Sequence, residues 1–408
     1  MIKDSKQRLF EMMHRVGKMP INEEINISSL LGEEVDFEDN FSDVEPTDCW
    51  NVVEMKKYLN QILDNYNAPA NKKRKPELII HNKVIKGSGE DIDVQDFISK
   101  ISAEPNTIIT GGNAKMIKSS TDDFYTVTIG LPAFRGLVYN QGKNEFLVIS
   151  TCPGSSDECK NVCYARKGNY VSLPSVYLKQ TRILNLLMNN PEKFKENLKN
   201  EIIVIYKRGV KNNKGQMRFR WNDSGDFFSK KYFEIGREIM NELKDENFDV
   251  KPYAHTKVAD IYNKNRGSFS MNSKGLSVYN KPDFVISFSV NAPPEQLNKV
   301  NLKGAKTSEI MFKNWQDLFA KNEKTNDYAV NGEGKLVFID PENGPKILKQ
   351  RVADDFGVPN DGTLLLHDEM LNTPEADRPT YNVIVQTKGE TDVSTQRDDV
   401  MRTFFMVH

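Results

Sequence analysis

The stretch "EFLVISTCPGSSDECKNVCYARKGNY", residues 145–170, joins an apolar run to a loop rich in cysteine. The run at 145–151 consists mainly of β-branched and aromatic residues, which predicts a buried strand leading directly into the loop. The chain has 4 cysteines, and 3 of them, Cys152, Cys159 and Cys163, lie in this loop with the spacing C-x6-C-x3-C. Clustered cysteines in a chain otherwise poor in them indicate metal binding or cysteine chemistry.

The number of cysteines in the loop suggests one kind of metal site. Three thiolates can bind three irons of a [4Fe–4S] cluster and leave the fourth iron open to a small molecule. The glycine and serines at 154–156 allow the loop to fold back around such a cluster. Two alternatives remain: a structural zinc completed by His255 or Cys49, and plain structural cysteines. A nucleophilic cysteine fits less well, because it would need one thiol and a neighbouring base.

Composition narrows the class of protein. The chain of 408 residues carries 56 basic and 57 acidic residues, a formal net charge of −1. This balance argues against nucleic acid and against an anionic membrane as partners. No apolar run reaches the roughly 20 residues that span a bilayer, and the N-terminal "MIKDSKQRLFEMMHRVGKMP" lacks the apolar core of a signal peptide. We therefore expect a protein of the reducing cytosol.

Residues 1–76 differ in character from the rest of the chain. They predict an amphipathic helix at 5–17, an acidic and turn-rich linker, and a second amphipathic helix from Trp50. The short apolar face of helix 5–17 indicates docking, either on the main domain or on a phage or host protein. We expect this helical and disordered extension to pack loosely, with the linker at 32–48 exposed.

Residues 77–408 predict an α/β domain. Its predicted strands lie in "ELIIHNKVIK", "FYTVTIGLPAF", "EFLVIST", "QMRFRWNDSGDF", "DVKPYAHTK", "DFVISFSVN", "KTSEIMF" and "KLVFID". Helices alternate with them, including a long one at 175–206 with a break at Pro191 and one capped by Ser229. This alternation implies right-handed β-α-β units and a parallel sheet. About five units before residue 340 are too few for a closed eight-unit barrel, so we predict a partial, open TIM-type barrel.

Polar residues follow the predicted strands, where α/β barrels carry their working groups. In "NDSGDFFS", Gly225 permits close approach to a ligand, and Asp226 offers a carboxylate for an amino group or a cap for the next helix. Ser287 and Ser289 alternate along a later strand and either hydrogen-bond a sugar hydroxyl or simply end the strand. His255 is a proton donor, a metal ligand or a satisfied core histidine.

The stretch from Ile108 to Val290 resembles the phage gene product 88 family. The shared segments are "GGNAKMIK", "LPA", "TCPGSSDECKNVCYARKG" and "RFRWNDSGDFFS". The "C…C…CYA" arrangement is also similar to a phage-protein family related to radical S-adenosylmethionine (SAM) enzymes. The resemblance implies a radical-SAM-like open barrel whose three loop cysteines ligate a [4Fe–4S] cluster. It places Gly225 and Asp226 where such enzymes bind the methionyl amine of SAM.

The function implied by this resemblance is that of a phage-encoded iron–sulfur protein in the host cytoplasm, which binds or cleaves SAM to start radical chemistry on an unknown substrate. The spacing C-x6-C-x3-C departs from the C-x3-C-x2-C usual in radical-SAM enzymes. No second group of cysteines follows, so we expect no second cluster. The alternative is a non-enzymatic virion-associated or host-takeover protein in which a metal only staples the loop.

Overall fold

The structure is a computed structural model, and the part of the chain that it describes forms one compact unit within Phe37–His408. The described residues are 41–69, 77–85, 92–111, 120, 124–211, 215–271, 277–280, 282–302, 305–310, 317–325, 329, 331, 337–356, 364–365, 381–385 and 402–405. The predicted helix at 5–17 and most of the linker at 32–48 lie outside them.

Strands and helices alternate through most of the described chain. The strands are β1 Asp48–Asn51, β2 Phe124–Thr128, β3 Arg135–Asn140, β4 Glu145–Ser150, β5 Gln216–Trp221, β6 Val250–Thr256, β7 Ser268–Met271, β8 Ser277–Asn280, β9 Val285–Ser289, β10 Thr307–Ile310, β11 Leu364–Leu365, β12 Tyr381–Val385 and β13 Arg402–Phe405. The helices are α1 Val52–Asn67, α2 Asn82–Ile85, α3 Val94–Ser102, α4 Asp157–Val162, α5 Asn169–Ser172, α6 Pro174–Asn189, α7 Pro191–Lys211, α8 Lys230–Asp245, α9 Ala259–Asn265, α10 Pro294–Leu297 and α11 Gly344–Phe356. None of the described helices combines the length and the apolar character needed to cross a membrane.

The main sheet is parallel, as the alternation predicted. Its eight strands have the order β11-β12-β13-β10-β9-β6-β5-β2, and every neighbouring pair is parallel. From β2 to β10 the sheet order follows the chain order, so each crossover lays the next strand beside the previous one. Within the described residues the edge strands β2 and β11 do not pair with each other. The fold is therefore mixed α/β around an open parallel sheet.

The two faces of this sheet differ in polarity because side chains alternate along each strand. One face carries Val127, Phe219 and Trp221, which are buried in the main apolar core. The Trp221 ring packs against α8, where its nearest atoms would lie 3.3 Å from a Cβ placed at Gly236. The opposite face carries polar side chains such as Thr128 and Arg220, which are also buried. The polar face leads to the carboxyl ends of the strands.

The strand that precedes the cysteine loop lies in a different sheet from the one predicted. We expected residues 145–151 to form the first strand of the parallel sheet, but β4 is the central strand of an antiparallel sheet with the order β1-β4-β3. The turn at 141–144 brings β3 and β4 side by side as a hairpin. A local apolar pattern does not specify a strand's partner, so this pairing was missed. The corresponding edge of the parallel sheet is formed by β2.

The described part of the predicted N-terminal extension packs closely. Helix α1 begins after Asn51, whose side chain accepts hydrogen bonds from the first-turn N–H groups, and its Met55 and Leu59 are fully buried. They join an apolar cluster that also contains Phe146 of β4. The expectation of loose packing is therefore wrong for α1, whereas residues 42–48 of the linker are mostly exposed, as predicted. The domain boundary at residue 76 stays a prediction.

Local signals gave other elements correctly. The long helical stretch is broken at Pro191 into α6 and α7, and the Ser229 side chain caps α8 by accepting a hydrogen bond from the N–H of Tyr232 at 3.0 Å.

"ELIIHNKVIK" was wrongly predicted as a strand: α2 forms there, with Val84 and Ile85 buried. Short apolar runs do not distinguish a buried strand from a buried helical turn. "KLVFID" was also wrongly predicted as a strand: in its described residues, 337–340, Phe338 makes only an isolated antiparallel bridge with Phe319.

Candidate functional site

A cavity of about 180 Å³ opens at the carboxyl ends of β5, β6, β9 and β10. The cysteine loop covers one side of it. Six of the seven predicted site residues line this cavity: Cys152, Cys159, Cys163, Gly225, Asp226 and Ser289. Ser287 does not line it, although it is buried on the same strand as Ser289, two residues earlier. The structure thus brings together residues from the loop and from separate strand ends.

The cysteine loop starts at Thr151, which is held in place by three hydrogen bonds. Its N–H donates to the carbonyl oxygen of Phe134 at 2.8 Å, and its hydroxyl donates to the carbonyl oxygen of Pro132 at 2.6 Å. Its own carbonyl oxygen accepts the N–H of Asp226 at 2.8 Å. Because Thr151 is fully buried, these bonds fix the start of the loop against the end of β5.

The three loop cysteines are free thiols in three different local settings. Cys152 accepts a hydrogen bond at its Sγ from the N–H of Phe134 at 3.4 Å. Cys159 lies in α4, where its N–H donates to the capping hydroxyl of Ser156 at 3.2 Å. Cys163 ends that helix. The short helix thus separates Cys159 from Cys163 by one turn and lets both face the cavity.

Burial and neighbouring charges shift the pKa values of the thiols and of the groups around them. Burial raises the pKa of Cys152, and the nearby Asp226 carboxylate raises it further. Burial also raises the pKa of Cys163. For Lys257, burial by itself would lower the pKa, but interaction with Cys159, Asp226 and Cys152 raises it above its ordinary value. A metal at this site would therefore have to displace thiol protons, so its binding would release protons.

The geometry does not bring the three sulfurs to one point. Among the described residues, no group of three or more His, Cys, Asp or Glu side chains is close enough to hold a metal ion. The expectation that the sulfurs converge within a few ångström is therefore not confirmed. A [4Fe–4S] cluster places each thiolate on a different iron, so its ligands need no common centre. Three free, soft thiolate donors around one cavity fit such a group chemically.

Gly225 occupies the turn after β5 for two physical reasons. Its φ of +81° lies in the left-handed region, which side chains with a Cβ rarely adopt. A Cβ at this position would also lie 2.9 Å from the Cβ of Leu131. The glycine therefore allows the turn to approach the segment that follows β2, whereas the close approach to a ligand expected from the sequence stays a prediction.

Asp226 is buried and tied to the backbone on both oxygens. Oδ1 accepts the N–H of Phe227 at 2.7 Å, and Oδ2 accepts the N–H of Lys257 at 2.9 Å. Burial raises the pKa of this carboxyl, while these donors and the Lys257 ammonium oppose the shift. The alternative that Asp226 caps the next helix is wrong, because Ser229 caps α8. Asp226 instead joins the ends of β5 and β6 at the cavity wall.

Several cavity residues were not predicted from the sequence. Arg220 and Ser224 line the wall beside Asp226, and the buried Ser224 hydroxyl has no hydrogen-bond partner within the described structure. Lys257 follows β6 directly, so the rule that barrel chemistry lies after strand ends could have found it. His255, which the sequence analysis did single out, lines the cavity as well, with Nδ1 3.3 Å from the hydroxyl of Ser308.

A side-chain hydrogen bond fixes the second end of the cysteine loop. The hydroxyl of Tyr170 donates to the Asp223 carboxylate at 3.1 Å, so the end of the cysteine loop is tied to the turn after β5. Burial raises the pKa of this tyrosine, and the neighbouring Tyr164 and Asp223 add to the shift. The loop is thereby anchored to that turn at both of its ends.

Comparison with known proteins identifies the family. No curated protein matches the chain. A family model described as gene product 88 matches residues 107–351, which include the cysteine loop, the turn after β5 and the whole lining of the cavity. This match spans more than half of the 408 residues, and the chain belongs to the gene product 88 family.

Proposed function

We propose that the cavity is the active site of an iron–sulfur enzyme of the radical-SAM type, encoded by a phage. The observation that carries this proposal is the meeting of three free thiols with the carboxylate of Asp226 around one cavity. The thiols come from a single loop, and the carboxylate follows them by more than sixty residues. Soft sulfur donors beside a carboxylate suit an iron–sulfur cluster next to a small amino-bearing cofactor.

The residues of the chain have separate tasks in this proposal. Cys152, Cys159 and Cys163 would hold a [4Fe–4S] cluster, which would supply one electron from an external reductant for the reductive cleavage of SAM. Asp226 accepts a hydrogen bond from the amino group of the cofactor. Its two backbone hydrogen bonds keep the carboxylate oriented and leave further lone pairs on each oxygen. Gly225 lines the same cavity and lets its turn pack against Leu131, which positions the adjacent Asp226.

The serines of β9 have a supporting task. Ser289 faces the cavity and hydrogen-bonds a sugar hydroxyl of the cofactor. Ser287 lies deeper on the same strand, and its buried hydroxyl has no partner within the described structure. It reaches the ligand only if the cofactor extends inward along β9 or if a water bridges the gap.

The finer fold and the cellular setting belong to the same proposal. The open parallel sheet, with its polar face leading to the cavity, is consistent with a partial barrel of the radical-SAM type. Free cysteines are consistent with the reducing host cytoplasm. The helix predicted at 5–17 is the proposed contact for a phage or host protein.

Metal analysis of anaerobically purified protein tests the proposal. We expect a brown protein with about four irons and four sulfides per chain. Substituting serine for Cys152, Cys159 or Cys163 should remove most of the iron, whereas Cys49→Ser should retain it because Cys49 is exposed on β1. A colourless protein with one zinc would contradict the proposal. That result would favour a non-enzymatic virion or host-takeover protein with a structural metal.

A further inference from the structure

We propose that Lys257 is a positioning residue that joins the cysteine loop to Asp226 and places a positive charge beside the cluster sulfurs. This inference rests on the proposed function and assigns a role to a residue that the sequence analysis did not select as a site residue. Lys257 follows β6 directly, is half-buried and lines the cavity. Both its backbone and its side chain contribute.

The backbone of Lys257 connects the two halves of the site. Its N–H donates to Oδ2 of Asp226 at 2.9 Å. Its carbonyl group packs so closely on Gly154 of the cysteine loop that a Cβ at residue 154 would overlap it. The end of β6 therefore contacts the carboxylate on one side and the loop on the other. A change of side chain at residue 257 leaves both backbone contacts possible.

The side chain of Lys257 lines the same cavity as the cysteines and Asp226. It interacts electrostatically with Cys159, Asp226 and Cys152. The ammonium thus hydrogen-bonds the side chain of one proposed cluster ligand, Cys159, and is coupled to the proposed amine acceptor. Arg220 is a second cation in the cavity lining. Besides Lys257, Asp226, the cysteines and Tyr164, the other titratable side chains of the lining are His255 and Asp223.

A cation in this place has a predictable electrostatic effect. Reduction adds one negative charge to an iron–sulfur cluster, and its reduction potential depends on the net charge and hydrogen bonding around its sulfurs. A positive charge beside the sulfurs favours the reduced form, because opposite charges attract more strongly in a partly desolvated site than in water. Lys257 therefore raises the potential and makes electron uptake easier.

Redox titration of the reconstituted protein tests this role. Lys257→Met should keep its iron but show a more negative reduction potential than wild type, and Lys257→Arg should restore the potential because it restores the charge. Lys160→Met is the matched control, since Lys160 is exposed and pairs with Asp157. An unchanged potential in Lys257→Met with full iron would overturn the inference while leaving the proposed function intact.

A second measurement uses the metal-free protein and separates the two proposals. o-Phthalaldehyde forms a fluorescent isoindole when a lysine amine and a cysteine thiol are neighbours. In a Cys49→Ser background we expect the isoindole fluorescence to appear. Lys257→Met or Cys159→Ser should abolish it, and Lys160→Met should retain it. Fluorescence that survives Lys257→Met would overturn the placement of Lys257. Absence of iron from wild type would overturn the proposed function and the charge effect together, whatever the isoindole result.

Discussion

The N–H of Asp226 donates to the carbonyl oxygen of Thr151 at 2.8 Å. This bond joins the residue before Cys152 to the carboxylate-bearing turn after β5, although the two segments are far apart in the chain. Since both partners are buried, the bond has no competition from water and positions the loop relative to the turn. The geometry of the site therefore depends on the fold of β5 as much as on the cysteine loop.

Gly225→Ala should destabilise the protein. The substitution forces a residue with a Cβ into φ +81° and presses that Cβ against Leu131, so we expect a loss of about 1–3 kcal/mol or more in the free energy of unfolding. Gly215→Ala is the control, because nothing lies within 4 Å of a Cβ built there. Urea denaturation measures both variants. Equal stability of the two would show that the turn after β5 is not constrained as described.

Asp226→Ala should affect both the fold and the cofactor. It removes the acceptor of two backbone N–H groups, and leaving these unsatisfied costs about 1–3 kcal/mol of stability. Loss of a charge-assisted bond to the amino group should weaken SAM binding roughly ten- to a hundredfold. Calorimetric titration of SAM into iron-loaded wild type and variant measures the second effect. Equal affinity would leave Asp226 with only its structural role.

Cys49 should react slowly with alkylating reagents although it is exposed. Its thiol lies 3.0 Å from Oε2 of Glu145, and this hydrogen bond, with smaller effects of burial and charge, raises its pKa from 9.0 to about 11. The thiolate is the reactive form, and a higher pKa leaves less of it at pH 8. Labelling should therefore be roughly tens of times slower than for an ordinary thiol, since higher intrinsic nucleophilicity offsets part of the loss.

Glu145→Gln provides the comparison for Cys49. Removing the carboxylate should lower the pKa toward 9.0 and speed iodoacetamide labelling at pH 8, as followed by mass spectrometry of the peptide that contains Cys49. The difference between the two proteins should shrink as the pH rises above 11. An unchanged rate at pH 8 would mean that Glu145 does not control this thiol.

The ion pair between Arg402 and Glu309 should be sensitive to loss of one partner. Arg402 of β13 donates to Glu309 of β10 at 3.0 Å, and both side chains are almost fully buried. Glu309→Gln removes this counter-charge from a buried cation, so we expect a loss of about 3–5 kcal/mol in the free energy of unfolding. Asp283→Asn breaks the exposed pair with Lys244 and should change the stability far less, because water screens exposed ion pairs. Similar losses in the two variants would contradict this assignment.

The sequence predicted those parts of the fold that depend on local chemistry. The predictions of a helix break at Pro191 and of a helix cap at Ser229 were correct, because proline geometry and capping act over a few residues. The parallel strands were also predicted correctly, from the alternation of apolar strands with helices. The antiparallel pairing of β4 was missed because strand partners depend on distant segments.

The candidate site shows the same division between local and distant information. The strand-end rule placed Gly225 and Asp226 at the mouth of the sheet, where the structure has them. The contacts of Lys257 with Asp226 and Gly154 could not be predicted, since these partners lie 31 and about a hundred residues away in the chain. The pairing of Arg402 with Glu309 likewise joins residues 93 apart.

Electron paramagnetic resonance of the reduced protein, recorded with and without SAM, tests the central claim most directly. After anaerobic reconstitution and reduction, we predict a cluster signal that depends on Cys152, Cys159 and Cys163 and that changes when SAM is added, because the cofactor binds the iron that no cysteine ligates. A protein that takes up no iron under these conditions, or a cluster signal that SAM leaves unchanged, would contradict the account.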